Sequence, residues 1–238
     1  MIRLNWISAT SDFPPVAQSL AEPNGLLAAS VELSPSQVLR AYRNGIFPWY
    51  NEGQPVLWWS PDPRMVLMTD QLKISRSFAK TLRQKNREHR WSITTDTAFS
   101  SVINACANLR RSQQGTWITD ELAQTYIALH EQGYAHSIEV WNSGQLIGGL
   151  YGLCIGRMFY GESMFSIAPE ASKIALTALV DYLVLNNCRV IDCQQDTEHL
   201  TSMGGQTMAR SEFISALDMH CSVEGFNWQV GQLPFPVR

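Results

Sequence analysis

The stretch that decides the fold is "AHSIEVWNSGQLIGGLYGLCIGRMFYGESMFS", residues 135–166. Its three runs rich in β-branched and aromatic residues are separated by the turn sequences "NSGQ" and "CIGR", which is typical of successive hairpins. The segment "APEASKIALTALVDYLVLNN" follows and reads as an apolar helix with Pro169 near its start. The strand-like run "RVIDCQ", residues 189–194, closes the pattern. The stretch therefore predicts the order strand–strand–strand–helix–strand.

The chain before this stretch changes in composition near residue 66. Residues 1–66 are rich in Pro, Trp and turn sequences, and their one clear helix is "SPSQVLRAYRNG", with Ser34 as N-cap, Pro35 in the first turn and Gly45 after the end. Further on, "ISRSFAKTLRQKN" predicts a basic amphipathic helix, "WSITTD" a strand, and "TAFSSVINACANLR" and "TDELAQTYIALHEQG" two more helices. We predict two domains, residues 1–66 and residues 67–238.

The predicted order of elements is that of the acetyltransferase-like (GNAT-like) acyl-transfer fold, whose hallmark is a central antiparallel hairpin followed by a helix that faces the acyl donor. The fold class is therefore α+β, with a mostly antiparallel central sheet and flanking helices in residues 67–238 and a small α+β domain in residues 1–66. An acetyl-coenzyme A enzyme of this fold would carry [RQ]-x-x-G-x-[GA] where this chain reads "FSIAPEASK", residues 165–173. Neither GxxxxGK[ST] nor GxGxxG is present. An acyl donor of another kind is indicated.

Composition favours a cytosolic globular enzyme. Apolar residues make up 45% of the 238 residues and charged residues 16%, as in ordinary globular domains. No segment approaches the ~20 apolar residues of a membrane helix, and the start lacks the apolar core of a signal peptide. The five cysteines form an odd, scattered set without a CxxC pair, which favours reduced thiols. We expect a cytoplasmic monomer with no membrane contact.

A strong charge asymmetry is the first functional clue. Seven cations between residues 73 and 90 oppose the single anion Glu88, so this segment carries +6 and the remainder −9, for a net charge of −3. A basic stripe on an acidic protein can hold phosphates, although a solvated helix face is the alternative. The stripe consists of Lys73, Arg76, Lys80, Arg83, Lys85, Arg87 and Arg90.

The segment "RVIDCQQDTEHLTSMGG", residues 189–205, offers three possible chemistries. A zinc site would need Cys188, Cys193 and His199, but their spacings match no common zinc pattern. A nucleophilic Cys193 with His199 as base is a second possibility. Strand alternation, however, places Cys193 on the apolar face with Ile191, and Asp192 and Gln194 on the opposite one. The alternation favours Asp192 and Gln194 as the reactive pair.

Charged tRNA fits as the acyl donor, because its phosphates suit the basic stripe and its terminal adenine suits an aromatic clamp. A base stacked on an aromatic ring gains roughly 1–3 kcal/mol. Trp49 and Trp117 lie beside Gly- or Pro-bearing turns, where rings are more often presented outward. For Trp58 and Trp59, core packing is the simpler interpretation.

Ten motifs occur in one order from residue 22 to residue 194 and together resemble the bacterial leucyl/phenylalanyl-tRNA–protein transferase family. They are "EPNGLLA", "AYRNGIFPWY", "WWSPDPR", "ISRS", "GTWIT", "AHSIEVW", "GGLYG", "GESMFS", "ASKIAL" and "IDCQ". The resemblance implies transfer of leucine or phenylalanine, and less well methionine, from charged tRNA to proteins that begin with Arg or Lys, which marks them for degradation. It also implies a cofactor-free cytoplasmic enzyme.

The resemblance implies roles for individual residues. Asp192 and Gln194 match the family's catalytic pair. Trp49, Trp117, Glu162, Tyr42 and Tyr126 match the active site around the terminal adenosine, and the basic stripe matches the region that contacts the tRNA backbone. The pocket for the aminoacyl side chain would be lined by Met164, Leu150, Leu176, Leu179, Leu183 and Ile191. Leu150 stands where methionine is common, so the preference among donors is open.

The chemistry of the reaction assigns tasks to these groups. An aminoacyl ester is already activated, so the main task is to place a neutral amine ~3 Å from the ester carbonyl. We expect Asp192 to receive and align the ammonium group of the acceptor protein and to assist proton removal, Gln194 to hold geometry or polarise the carbonyl, and Glu162 to help select Arg or Lys. Whether the proton leaves through Asp192, Gln194 or the ribose hydroxyl of the tRNA is open at this point. Two alternatives stay open: a coenzyme A-dependent N-acetyltransferase of the same fold, and a non-catalytic RNA-binding adaptor.

Overall fold

The computed structural model describes residues 4–111 and 117–237. Gly115 and Thr116 of the motif "GTWIT" lie outside the described residues, whereas Trp117 lies within them. The described chain forms two sheets with helices packed around them, so the predicted α+β class is confirmed.

A four-stranded sheet occupies the N-terminal part of the chain, in the strand order β1-β2-β4-β3. The helix α1, Pro35–Arg43, connects β2 to β3 and begins where the sequence predicts, because the Ser34 hydroxyl accepts a hydrogen bond from the Gln37 N–H. The strands are β1 Asn5–Trp6, β2 Leu26–Ser30, β3 Phe47–Pro48 and β4 Val56–Trp59.

An eight-stranded mixed sheet forms the centre of the molecule, in the order β11-β5-β10-β9-β8-β7-β6-β12. β10 is parallel to β9 and the other neighbours are antiparallel. The strands are β5 Arg64–Met68, β6 Trp91–Thr95, β7 Ala135–Asn142, β8 Gln145–Ile155, β9 Met158–Ser166, β10 Val190–Gln194, β11 Gln206–Met208 and β12 Gly231–Leu233.

Helices cover both faces of this sheet. The buried side chains of α2 and α5 belong to the apolar cluster on one face, and those of α1, α3, α4 and α7 belong to the cluster on the other. The short α6 follows β10 in the chain. The helices after α1 are α2 Arg76–Arg87, α3 Phe99–Arg111, α4 Asp120–Glu131, α5 Ala171–Leu185, α6 Glu198–Ser202 and α7 Arg210–Cys221.

The predicted order around residues 135–194 is confirmed. Ser143 and Gly144 have φ values of 48° and 79° and form the two-residue turn between β7 and β8, as a type I′ hairpin requires. The crossover helix α5 then returns the chain so that β10 lies parallel to β9. This helix approaches β8 closely, because a Cβ at Gly148 would lie 2.5 Å from the Cβ of Ala171.

The predicted division after residue 66 stays a prediction. Strand β5 spans that position and belongs to the large sheet. The N-terminal sheet also shares a buried apolar cluster with the large sheet, since Leu27 and Trp58 belong to the same cluster as Tyr151. None of the helices in the described part of the chain combines the length and the apolarity that crossing a membrane requires.

Candidate active site

A cavity of about 380 Å³ opens where the parallel strands β9 and β10 separate. Their pairing runs from Val190–Met158 to Asp192–Tyr160 and ends there. Residues beyond this point on both strands line the cavity, among them Glu162 on β9 and Gln194 on β10. Separated strands expose backbone and side-chain groups that pairing would otherwise occupy, so the sheet itself creates this site.

Two β-bulges lie at this point of separation. On β9, Gly161 pairs with Gly152 and Ser163 pairs with Tyr151, which leaves Glu162 as the extra residue. On β10, Asp192 pairs with Val66 and Gln194 with Met65, which leaves Cys193 as the extra residue. Gln194 takes a φ of 60°, which is uncommon for a residue other than glycine. Because a bulge re-aims the side chains around it, simple strand alternation does not extend to Gln194.

One end of the cavity is apolar. Five of the six side chains predicted for the aminoacyl pocket line it, and they come from four elements, β8, β9, α5 and β10. Leu183 is buried in the same apolar cluster as Leu176 and Leu179 but is not among the lining residues. Its contribution is therefore core packing. The five lining side chains are Leu150, Met164, Leu176, Leu179 and Ile191.

Two tryptophans line another part of the cavity. Trp49 is 38% exposed, and its ring meets that of Trp59 edge to face with centroids 5.4 Å apart. Trp117 lies at the same cavity and is partly buried. Trp58 is fully buried and donates its indole N–H to the Ser30 hydroxyl at 2.9 Å. Of the four candidate rings, Trp49 and Trp117 face the cavity, whereas Trp58 packs in the core.

The carboxyl group of Glu162 is the centre of a polar network at the cavity wall. The Tyr42 hydroxyl donates to its Oε1 at 2.6 Å and the Tyr126 hydroxyl donates to its Oε2 at 2.9 Å. The Gln194 amide Nε2 donates to Oε1 at 3.0 Å. Burial raises the pKa of Glu162 to about 7, although both tyrosine hydrogen bonds act to lower it. The carboxyl group can therefore gain or lose a proton near neutral pH.

Tyr42 and Tyr126 do not meet the cavity themselves. Both side chains are fully buried, on α1 and α4, and neither is among the lining residues. Burial raises the pKa of each hydroxyl well above its usual value of 10.0, so both stay protonated at neutral pH. The structure thus places them behind Glu162, whereas the sequence analysis predicts them beside the terminal adenosine.

Asp192 is fully buried in an ion pair with Arg64, a residue that the sequence analysis does not single out. The guanidinium donates from Nε to Oδ1 at 2.8 Å and from Nη2 to Oδ2 at 2.7 Å. Its Nη1 donates to the Gly45 carbonyl at 3.1 Å, and the rings of Phe47 and Phe213 lie over it. The motif "WWSPDPR" contains this arginine, but a contact across 128 residues leaves no local signal.

This ion pair changes the role predicted for Asp192. Neither carboxylate oxygen faces the cavity, because Arg64 occupies both and Asp192 has no exposed surface. Oδ1 also accepts the backbone N–H of Gln194 at 2.9 Å. Asp192 therefore fixes the backbone that carries Gln194 and does not line the cavity, and its predicted contact with an ammonium group stays a prediction.

The structure argues against the thiol and zinc alternatives. Burial raises the pKa of the Cys193 thiol, so very little of the nucleophilic thiolate exists at neutral pH. Cys193 packs against the apolar cluster that contains Ile191, as alternation predicts. Among residues 4–111 and 117–237, no group of three His, Cys, Asp or Glu side chains could hold a metal ion.

The basic stripe lies on α2 and its flanks, next to the elements that form the cavity. Its residues are exposed except Lys85, which is half-buried and pairs with Glu88 at 3.1 Å. At one end, the Lys73 N–H donates to the Met203 carbonyl just after α6, and α6 residues line the cavity. The Lys173 ammonium of α5 lies 5.8 Å from the centre of the Phe78 ring of α2.

Two family models match most of this chain, and the residues that line the cavity lie within them, whereas Arg64 falls between the two matched ranges. The model described as "Leucyl/phenylalanyl-tRNA protein transferase" matches residues 66–218, and the model of that family's N-terminal domain matches residues 31–62. A leucyl/phenylalanyl-tRNA–protein transferase from Aromatoleum aromaticum is 54% identical over 212 residues, which cover 89% of this chain and 88% of the relative. One from an Azoarcus species is 51% identical over 220 residues, covering 92% of each chain.

Among solved structures, an aminoglycoside acetyltransferase from an uncultured soil sample aligns with 60% of this chain and 98% of its own. The TM-score is 0.37 at 11% sequence identity, which is too low to support a conclusion about this chain.

Proposed function

This chain belongs to the leucyl/phenylalanyl-tRNA protein transferase family, and from that premise we propose that it moves leucine or phenylalanine, and less well methionine, from charged tRNA to the N-terminal Arg or Lys of proteins. The new peptide bond would mark those proteins for degradation in the cytoplasm. The observation that carries the proposal is the cavity at the separation of β9 and β10, which joins an apolar pocket to the polar groups of Glu162 and Gln194.

The donor is proposed to bind with its amino-acid side chain in the apolar end of the cavity. Leu176 and Leu179 on α5 and Ile191 on β10 line the cavity together, and a buried leucine or phenylalanine side chain gains about 1.5–3 kcal/mol in such surroundings. The terminal adenine would stack on Trp49 or Trp117. The ester carbonyl then lies between the apolar end and the polar network, where the reaction must occur.

The acceptor amine is proposed to approach along Gln194. The Nε2 of this amide is committed to Glu162, so its Oε1 is the polar atom that can accept a hydrogen bond from the amine. Arg64 and Asp192 hold the Gln194 backbone through the N–H bond to Oδ1. Attack on an activated ester needs no covalent enzyme intermediate, and placing the amine ~3 Å from the carbonyl supplies most of the acceleration.

Selection of Arg or Lys at the acceptor's first position is proposed to rest on negative charge at the cavity. Arg64 and Asp192 neutralise one another, so ionised Glu162 gives this part of the wall a net negative charge. Asp196 and Glu198 add exposed carboxylates beside the lining residues Gln195, Thr197 and His199. A cationic first residue would be drawn to this side, and an acidic one repelled.

The transfer reaction can be tested directly. We expect the purified protein, given Phe-tRNA and a peptide that begins with Arg, to form a Phe–Arg peptide bond, and to form none with the same peptide beginning with Asp. Mass spectrometry of the peptide measures the product. If neither Phe-tRNA nor Leu-tRNA gave a product, the proposed function would be overturned. Acetylation of the peptide from acetyl-coenzyme A would then favour the acetyltransferase alternative, and RNA binding without turnover would favour the adaptor.

The basic stripe is proposed to bind the tRNA backbone. We expect replacement of Lys80, Arg83 and Arg87 by alanine to reduce the slope of log affinity against log salt by about 0.9 for each duplex phosphate that the variant no longer neutralises, or about 0.7 on single strands. Arg210→Ala is the control, because it removes one charge from α7 on the opposite face of the sheet. Filter binding at several salt concentrations measures the slopes. An unchanged slope in the triple variant would place the RNA surface elsewhere.

A further inference from the structure

The oxygen atoms of Glu162, Tyr42 and Tyr126 form a closed triangle. The hydroxyl oxygens of Tyr42 and Tyr126 are 2.7 Å apart, Tyr42 is 2.6 Å from Oε1, and Tyr126 is 2.9 Å from Oε2. All three separations are hydrogen-bond distances, and each such contact needs one proton between its two oxygens. The triangle therefore needs three protons to be complete.

The number of protons in the triangle depends on whether Glu162 is ionised. Each tyrosine hydroxyl supplies one proton, so an ionised Glu162 leaves one of the three contacts without a proton. A protonated Glu162 supplies the third. In this protonated form the bond between Tyr126 and Oε2 reverses its direction from that of the ionised form. Oε2 donates to Tyr126, Tyr126 donates to Tyr42, and Tyr42 donates to Oε1, which also accepts from Gln194 Nε2. The observed geometry fits the protonated carboxyl group.

We propose that Glu162, Tyr42 and Tyr126 form a proton-accepting ring that takes the proton released by the acceptor amine during aminoacyl transfer. The ring is open when Glu162 is ionised and closes when the proton arrives, because the carboxyl O–H supplies the third contact. This inference rests on the proposed function, because the amine and the ester are the substrates of that reaction. Glu162 is the member that lines the cavity, and the two tyrosines act behind it.

The proton balance of the reaction shows which proton such a group would take. The acceptor N-terminus, whose ordinary pKa is about 7.7–8.0, is mostly an ammonium ion at pH 7. The ionised Glu162 removes one proton and leaves a neutral amine, whose nitrogen then attacks the ester carbonyl carbon. As the C–O bond to the ribose breaks, a second amine proton passes to the ribose oxygen. The products are an amide, a free ribose hydroxyl and one proton, which the ring holds until solvent takes it.

The charged neighbours of Glu162 have opposing effects on its pKa. Asp192 on β10 acts to raise the pKa of Glu162 and Arg64 on β5 acts to lower it, and burial is the largest cause that raises it to about 7. Tyr42 on α1 and Tyr126 on α4 are the other titratable neighbours. A group whose pKa lies near the working pH is effective both in taking up and in releasing a proton.

The pH profile of transfer tests the ring. We expect kcat/KM for an Arg-peptide to rise with pH through about 7, where Glu162 ionises, and then to level off, because an acceptor that is already neutral needs no proton removed. Hydrolysis of the aminoacyl ester without enzyme is subtracted at each pH. A rate that rises instead through about 7.7–8.0, the acceptor's own pKa, would overturn the proposal, because it would follow the neutral amine alone.

Three variants separate a proton role from a structural one. Glu162→Gln resembles the protonated state, and we expect it to bind tRNA normally while losing about 10²–10⁴-fold in transfer together with the rising limb. Tyr42→Phe, or Tyr126→Phe if that folds better, removes a hydrogen bond that lowers the pKa of Glu162, so the rising limb should move to higher pH. Tyr182→Phe is the control, because its hydroxyl accepts the Gln229 N–H outside the ring.

The outcomes are distinguishable. If the wild-type protein forms no product, the proposed function is overturned. If the wild-type protein transfers and Glu162→Gln matches its rate and its pH profile, the proton-accepting ring is overturned and the proposed function is not. A rising limb that moves in Tyr182→Phe as far as in Tyr42→Phe would also overturn the ring. Infrared difference spectra between about pH 6 and about pH 8 give a readout free of activity, because the carboxylic acid band should vanish in Glu162→Gln.

Discussion

Replacement of Arg64 by methionine is expected to lower the free energy of unfolding by about 3–5 kcal/mol, because it leaves the Asp192 carboxylate buried without its partner. Both groups have no exposed surface, and the two hydrogen bonds between them are 2.8 and 2.7 Å long. Urea unfolding followed by tryptophan fluorescence measures the change. Lys173→Met is the matched control, because the Lys173–Glu170 pair is 2.9 Å long but about a third exposed, so its loss should cost under about 1 kcal/mol.

The double variant Arg64→Met with Asp192→Leu separates stability from catalysis. Replacing a whole buried ion pair with apolar side chains is often neutral or stabilising, so much of the missing stability should return. Transfer should not return, because the Gln194 N–H loses the Oδ1 acceptor that fixes its position. Recovery of full transfer in the double variant would show that the pair contributes to folding alone. A loss below about 1 kcal/mol in Arg64→Met would contradict the buried pair itself.

Replacement of Gln194 by leucine is expected to lower single-turnover transfer by about 10²–10³-fold, the usual cost of removing one positioned polar group from a reaction centre. The variant loses the Nε2 donor to Glu162 and the Oε1 acceptor for the amine, but keeps the backbone N–H bond to Asp192. Affinity for charged tRNA should stay unchanged, because the basic stripe and the apolar pocket are intact. Rapid-quench transfer and equilibrium tRNA binding measure the two quantities.

Gln194→Asn controls for the backbone at this position. Gln194 has a φ of 60°, a conformation that asparagine adopts more readily than glutamine or leucine. If the defect of the leucine variant came from backbone strain, asparagine should restore transfer. If it comes from the reach of the amide, asparagine should also be defective, because its side chain is one methylene shorter. An unimpaired leucine variant would remove Gln194 from the reaction.

Local patterns in the sequence were sufficient to predict the helices and strands around the site. The turn sequence at Ser143 and Gly144 predicts the hairpin, and Ser34 marks the start of α1, because a turn or a helix cap depends on neighbouring residues. The amphipathic helix in "ISRSFAKTLRQKN" also forms, with Phe78 and Leu82 buried. It begins at Arg76, after Ile74, because the Ser75 hydroxyl accepts the Phe78 N–H and caps it there.

Strand alternation was a useful but incomplete guide to the site. It places Cys193 correctly with Ile191 on the apolar side. It also implies that Asp192 and Gln194 face the substrate together, and here the bulge at Cys193 intervenes. Gln194 lines the cavity, whereas Asp192 turns into the core towards Arg64. Successive side chains alternate between the two faces of a strand only while the strand pairing is regular. No sequence signal marks either bulge.

The sequence by itself determined the order of elements, the family, the basic stripe and the chemical types of the residues at the site, because these depend on composition and on local spacing. The tertiary structure decided which of those residues meet. It brings Arg64 to Asp192 across 128 positions, and Tyr42 to Tyr126 and Glu162 across 84 and 120 positions. Contacts over such distances arise from how helices pack on the sheet and from where β9 and β10 separate. Packing also sets burial, and burial raises the pKa of Glu162 to about 7.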